Sequence, residues 1–179
     1  MPDASGRAPL SRQQLLSALG RLSQILEKRG VTADLYVVGG AAMVLAFDAR
    51  PVTRDVDAVF KRKNEVFMAA AQVAREMHLP DEWLNNAVQR FLGRRDRNPI
   101  PALDLPGLRV MVASPRYLLA MKILADRHQR DRDDIRFLIR HLGFRKTEEI
   151  VESFADVYPY EPIPADTMLR IEEILAELV

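Results

Sequence analysis

The chain has 179 residues, 48% of them hydrophobic, with 26 Lys and Arg set against 25 Asp and Glu for a formal net charge of +1. That length supports a sizeable core, in one domain or one domain with a small helical appendage, and no run approaches the ~20 apolar residues of a membrane span. A cytoplasmic protein without membrane association is expected, and the lack of cysteine excludes disulfides and thiolate metal sites.

Residues 1–12, MPDASGRAPLSR, lack the apolar stretch of a secretory signal and read as a flexible arm. Residues 13–113 are expected to form an α/β core and residues 114–179 a helical part that completes the cleft. Ser11 and Gln14 fit a capping box, followed by Leu15, Leu16, Leu19, Leu22, Ile25 and Leu26 at helical spacing and by Gly30 as the stop. Leu35 to Val38 predicts a buried strand, Gly39-Gly40 a turn, and Ala41 to Ala49 a small-residue helix that can lie close to a sheet. Pro51 breaks the chain before a second strand that opens Asp55-Val56-Asp57. Asn64 is placed to cap a helix to about His78, with Val66, Phe67, Ala70, Val73, Ala74 and Met77 facing inward.

Between Leu79 and Gly107 prolines and glycines punctuate the chain, and only Glu82 to Phe91 reads as helical, with Trp83 and Phe91 on its core face. Leu108 to Val112 alternates as a third strand. Ser114-Pro115 opens a helix to about Arg127, and further helices are predicted over Asp131 to His141, Thr147 to Val157 and Asp166 to Leu178. Prolines keep VYPYEPIP extended between the last two.

Side chains alternate along a strand, so Asp55 and Asp57 share one face while Val56, Ala58 and Phe60 take the other. Two carboxylates this close repel unless a proton or cation intervenes, and a divalent metal is the simplest resolution. The Gly39-Gly40 turn lets backbone N–H groups approach a ligand, and the positive end of the following helix favours a phosphate. Thr53 and Arg54 stand next to the pair and are candidate phosphate contacts. Lys122 lies in the otherwise apolar YLLAMKILA, so its ammonium must snorkel or find a partner; Asp126, four residues on, is one candidate. Asp104 is the nearest candidate for a third carboxylate. Arg90, Arg94, Arg95 and Arg97 form the densest basic cluster, read either as a solvated loop or as a path for an RNA backbone. His78, His128 and His141 share no metal-ligand spacing.

Gly-Gly, a short helix and Thr-Arg-Asp-x-Asp resemble the signature of the nucleotidyltransferase superfamily. With DEWLNNAVQRFL, LPGLRVMVASPRYLLAMKILADR and DRDDIRFL, roughly residues 31 to 143 resemble the small bacterial toxins of the AbiEii and MenT type and their uncharacterised relatives. The resemblance implies an α+β fold, a small mixed sheet flanked by helices. It implies an enzyme that moves an NMP from an NTP to an acceptor hydroxyl, with Asp55 and Asp57 holding Mg2+ or Mn2+ and Gly39, Gly40, Thr53, Arg54 and Lys122 cradling the triphosphate. An acidic residue on the helix after Lys122 completes the set; it falls within Asp131, Asp133 and Asp134, with Asp134 the best match. MenT-like toxins imply tRNA as acceptor and a cognate antitoxin as partner. Many toxin relatives carry Gly-Ser where this chain has Gly39-Gly40. That departure keeps a second expectation open, a catalytically silent nucleotide- or partner-binding module, beside a third, an antibiotic-type enzyme acting on small molecules. The third would need an acidic pocket, against which the arginines argue.

Overall fold

The computed structural model describes residues 9–125 and 128–178. The chain divides into two compact units, the first running to Phe91 and resuming over Pro99–Val112, the second taking Leu92–Asn98 and continuing from Ala113.

In the first unit, β1 (Leu10–Ser11) leads into α1 (Arg12–Lys28), β2 (Ala33–Val38), α2 (Gly39–Phe47), β3 (Val52–Thr53), β4 (Val56–Phe60), α3 (Lys63–Met77), β5 (Leu84–Asn85), β6 (Ile100–Leu105) and β7 (Leu108–Val112). The main sheet has the order β5-β4-β2-β7-β6. β2 pairs antiparallel with β4 and parallel with β7, β4 runs parallel to β5, and β6 and β7 form an antiparallel hairpin. This is the α+β class expected, a small mixed sheet flanked by helices.

Local chemistry accounts for most of these elements. Ser11 Oγ accepts from Gln14 N at 3.3 Å while Gln14 Oε1 accepts from Ser11 N at 2.9 Å, the reciprocal capping box that starts α1. Leu15, Leu19, Leu22 and Leu26 on its inner face are fully buried, each worth about 1.5–3 kcal/mol of transfer free energy. α2 is apolar on every side, and Ala41 to Leu45 are all buried, as such a helix must be. Along β4, Val56, Ala58 and Phe60 are buried and Asp57 and Val59 are not, the alternation expected.

The structure corrects four of the sequence expectations. Residues 1–8 of the arm lie outside the described residues, but its end is ordered into the fold: Leu10 is 2% exposed and pairs with Thr53, so strand β1 satisfies its backbone. α3 is not capped by Asn64. Arg62 turns into the left-handed region with φ 54°, and Val66 N already donates to Arg62 O at 3.0 Å, leaving Asn64 inside the first turn. Glu82 to Phe91 is not a helix, because Trp83 pulls it extended: its indole is fully buried, Nε1 donates to Ala70 O at 3.0 Å, and its carbonyl accepts from Val56 N at 2.7 Å. β5 and a 3-10 turn over Ala87–Phe91 follow, and Phe91 is 54% exposed rather than core. Finally, Ile100 to Leu105 is a strand despite Pro101; it lies at the sheet edge, where a missing N–H is tolerated.

The second unit holds α4 (Pro115–Ala125), α5 (His128–Leu142), α6 (Thr147–Val157) and α7 (Ala165–Glu177). α4 packs on α5 and α6, and α7 on both of these. Ser114 starts α4 as expected, its Oγ accepting from Tyr117 N at 3.3 Å. α7 is tied to α5 by Arg132, which reaches Glu177 at 2.7 Å and Glu173 at 3.2 Å, and by Arg136 on Glu177. Asp126 and the side chain of His128 lie outside the described residues. No helix among the described residues is long and apolar enough to cross a membrane.

Trp83 joins α3, β5 and the start of the carboxylate strand, so Trp83→Ala is expected to destabilise the chain by roughly 3–5 kcal/mol and to lower Tm by on the order of 10 °C. Thermal unfolding followed by circular dichroism checks this; an unchanged Tm would remove Trp83 as the anchor of β4 and β5.

Candidate active site

β4 places its carboxylates where the register with β2 ends. Asp57 is the Cα partner of Val38, the last residue of β2, and Asp55 lies two residues earlier, just before the strand begins. Both are half-buried. The next residue after Val38 is Gly39, which turns the chain with φ +64°, an angle that side chains disfavour. Asp57 reaches over this turn: its Oδ2 lies 3.3 Å from the position a Cβ on Gly39 would occupy. On the other side of β4, Asn85 is paired with Asp57 through the backbone register, and its Nδ2 donates to Asp55 Oδ2 at 3.3 Å. Thr53 Oγ1 donates to the Asp55 carbonyl at 3.2 Å, fixing the residue from upstream. The structure therefore brings Gly39, Gly40, Thr53, Asp55 and Asp57 together at one edge of the sheet, and Arg54 is exposed beside them.

The donor set fits a magnesium or manganese ion. Two half-exposed carboxylates two residues apart offer hard oxygen ligands and leave room for waters and substrate oxygens, the manner in which Mg2+ is usually held. Among the described residues no group of three or more His, Cys, Asp or Glu converges. Asp104, a candidate third carboxylate, is placed elsewhere by the sheet register. It pairs with Arg109, which pairs with Asp34, four residues from Val38 along β2, or about 13 Å at ~3.3 Å per residue. Arg109 forms an ion pair with Asp34 at 2.6 Å at that opposite end of the sheet.

Lys122 is buried in the second unit between two carboxylates. Its Nζ lies 2.6 Å from Asp131 Oδ1 and 2.8 Å from Asp134 Oδ2, and all three residues are less than a tenth exposed. Asp133, the third candidate on this helix, points to solvent with its side chain 88% exposed, 3.8 Å from Arg136. The helical period explains the division: Asp131 and Asp134 are three residues apart on one face of α5, and Asp133 is not on it.

The four arginines are separated. Arg90 belongs to the first unit and lays its guanidinium 5.0 Å from the centre of the Phe91 ring. Arg94, Arg95 and Arg97 are exposed on the Leu92–Asn98 segment of the second unit. That segment is pinned from within. Arg94 N donates to Val157 O at 2.8 Å, and Asp96 accepts from Ser114 N at 2.7 Å and Ser114 Oγ at 2.8 Å. Burial raises Tyr117 and Tyr158 above the ordinary phenol pKa, against hydrogen bonds to the Gly93 backbone. Asp96 is thus turned onto the start of α4 while its arginine neighbours face outward.

Residues 13–162 match the model of a family described as nucleotidyltransferases of unknown function, DUF6036. The chain belongs to this family. A solved structure titled as an antigenic nucleotidyltransferase-like protein from Paracoccidioides brasiliensis is similar at 17% identity and a TM-score of 0.46, over 91% of this chain and 95% of that one. No curated protein matches.

Asn85 and Asp96 were not singled out by sequence reasoning. Asn85 was hidden by reading its segment as helical; it is the pairing of β5 with β4 that sets Asn85 opposite Asp57. Asp96 was hidden among basic neighbours, where its sign was the available signal.

Removing Lys122 alone would leave two buried carboxylates uncompensated, so Lys122→Ala is expected to destabilise the fold by roughly 3–5 kcal/mol. Lys122→Met combined with Asp131→Asn and Asp134→Asn removes all three charges and should recover most of that loss. Denaturant titration of the single and triple variants decides it: equal destabilisation of both would mean that the charge balance is not what α4 and α5 depend on.

Proposed function

We propose that this member of the family transfers a nucleoside monophosphate from an NTP to an acceptor hydroxyl at the Asp55–Asp57 edge. The observation that carries the reading is the Asp57 carboxylate lying over the Gly39 turn, beside Asp55, in a chain of nucleotidyltransferase family. A Mg2+ or Mn2+ ion bound by the pair would neutralise charge on the triphosphate and the departing pyrophosphate. Asp55 and Asp57 hold and orient that ion. Asn85 and Thr53 keep Asp55 aligned, and the turn at Gly39 and Gly40 gives phosphate oxygens access to backbone N–H groups. Arg54 is assigned to the outer phosphates. The acceptor oxygen bonds to the α-phosphorus as the bond to pyrophosphate breaks, and the hydroxyl proton passes to a carboxylate of the site or to water. Positioning and charge stabilisation account for most of the acceleration.

Lys122 was expected to cradle the triphosphate, and Asp134 to orient that lysine or accept a proton. Because the ammonium faces both Asp131 and Asp134, we assign this triad to fixing α4 against α5 instead. The finer reading rests on the resemblance to AbiEii and MenT-type toxins: a toxin acting on tRNA, with an antitoxin as partner. Arg94, Arg95 and Arg97 support an RNA acceptor, since their guanidinium groups face solvent on a pinned segment. A second reading, a silent nucleotide- or partner-binding module, is favoured by one observation, the lack of a third carboxylate beside the pair among the described residues.

The deciding assay incubates the purified protein with Mg2+, each α-32P-labelled NTP in turn and total tRNA, next to Asp55→Ala/Asp57→Ala. Label entering RNA with one NTP, and lost in the double variant, is the expected result. No label in RNA or protein under any NTP, while NTP still raises Tm, would favour the silent module.

Replacing Arg94, Arg95 and Arg97 by Ala should leave Tm unchanged and weaken tRNA binding. The slope of log K against log salt should fall in magnitude by roughly 2–3, at about 0.7–0.9 per phosphate contact. Fluorescence anisotropy over a salt series measures this, and an unchanged slope would remove these arginines from the RNA contact.

A further inference from the structure

Gly39 and Gly40 are glycines for different reasons. Gly39 needs its positive φ, whereas Gly40 has no such angle and needs space. A Cβ on Gly40 would lie 2.6 Å from Thr53 Oγ1 and 2.8 Å from Arg50 Nη1, both closer than a carbon can come. Two polar groups from the loop after α2 therefore converge on the backbone of one turn residue, beside the residue over which Asp57 lies.

The two groups differ in reach. Thr53 is 6% exposed, paired with Leu10 through its backbone, and donates its hydroxyl to the Asp55 carbonyl. It is a positioning group. Arg50 is only half-buried, in the segment between the left-handed Asp48 and Pro51, and its Nη1 borders the turn. The N-terminus of α2 carries no side-chain cap, so nothing from Val38 competes for the same volume.

We propose that Arg50 is a phosphate-binding residue of the nucleotide site, and that Gly40 is required to admit its guanidinium to the turn. This rests on the nucleotidyl-transfer reading and adds to it a residue and a steric rule. Its physical basis is charge. Asp55 and Asp57 repel an incoming triphosphate as well as each other, and a fixed cation on the turn offsets that repulsion where the phosphates arrive. Arginine suits the task because its fork stays charged and gives two parallel N–H donors to a phosphate. The same geometry means that any side chain at position 40 would force Thr53 or Arg50 to shift. A serine there would meet the Thr53 hydroxyl, which already faces that point from β3.

The test measures KM and kcat for label transfer, and the rise in Tm given by NTP, in the full chain carrying Arg50→Ala, Arg50→Lys or Gly40→Ala. Arg50→Ala should raise KM for NTP roughly ten- to a hundredfold, the loss expected for a charge-assisted hydrogen bond, with kcat changed little and the rise in Tm given by NTP reduced. Arg50→Lys should recover only part of the loss, and Gly40→Ala should raise KM in the same direction. If Arg50→Ala lowers kcat at constant KM, or lowers Tm without reducing the shift given by NTP, Arg50 serves the fold or the carboxylates and the proposal is overturned. A wild-type chain that neither transfers label nor is stabilised by any NTP overturns the transfer reading itself, and this assignment with it. An active wild type with an indifferent Arg50→Ala removes this assignment alone.

Discussion

Two carboxylates held on one face of a short strand are an electrostatic problem before they are a site. Asp55 and Asp57 sit where β4 emerges from its pairing with β2; Asn85 donates to the Asp55 carboxylate, Thr53 to the Asp55 carbonyl, and the glycine turn lies beside Asp57. A divalent ion bound by the pair, as proposed, would relieve the repulsion between the two carboxylates.

The rest of the first unit is arranged to hold that edge still. Trp83 fills the core beneath α3, bonds it through the indole N–H, and accepts from Val56 N with its backbone carbonyl, so one residue ties α3 to the residue between the two carboxylates. β3 and β1 brace Thr53 from the other side, which is why Leu10 is drawn into the core although it follows a polar N-terminal stretch. Rigidity here has a use: a ligand set that wanders by an ångström loses most of its advantage in orienting a phosphate.

What could be read from the sequence follows from the range of the interactions involved. The α1 cap, the β2–turn–α2 unit, the alternation of β4 and the start of α4 depend on neighbours within a few residues, and they could be derived from spacing alone. So could the convergence of Gly39, Gly40, Thr53, Asp55 and Asp57. Interactions that link distant segments could not. The segment at 82–91 has a helical spacing of aromatics, but the Ala70 carbonyl and the Val56 N–H, both far away in sequence, draw Trp83 into an extended path. Asp104 precedes a strand, which made it a candidate; only the register of β6 on β7 and β7 on β2 moves it to the far end of the sheet. Lys122 was legible as an ammonium in need of a partner, and the resemblance pointed to the next helix; that Asp131 joins Asp134 there follows from their spacing of three residues on one face of α5.

The two polar clusters also differ in what their burial permits. In the second unit, Lys122, Asp131 and Asp134 are nearly sealed, and an ammonium between two carboxylates in such surroundings is well satisfied; breaking it to serve a ligand would leave a charge stranded. At the Asp55–Asp57 edge the groups are half exposed, so water can be exchanged for ligand oxygens at modest cost. Arg50 belongs with the second kind. Its guanidinium lies close to Gly40, and the missing Cβ there is a steric allowance rather than a conformational one. A chain that needed only a tight turn could have kept its glycine at position 39 and placed alanine at 40. Gly40 instead leaves room for the Thr53 hydroxyl and the Arg50 guanidinium, the arrangement that the proposed phosphate site would use.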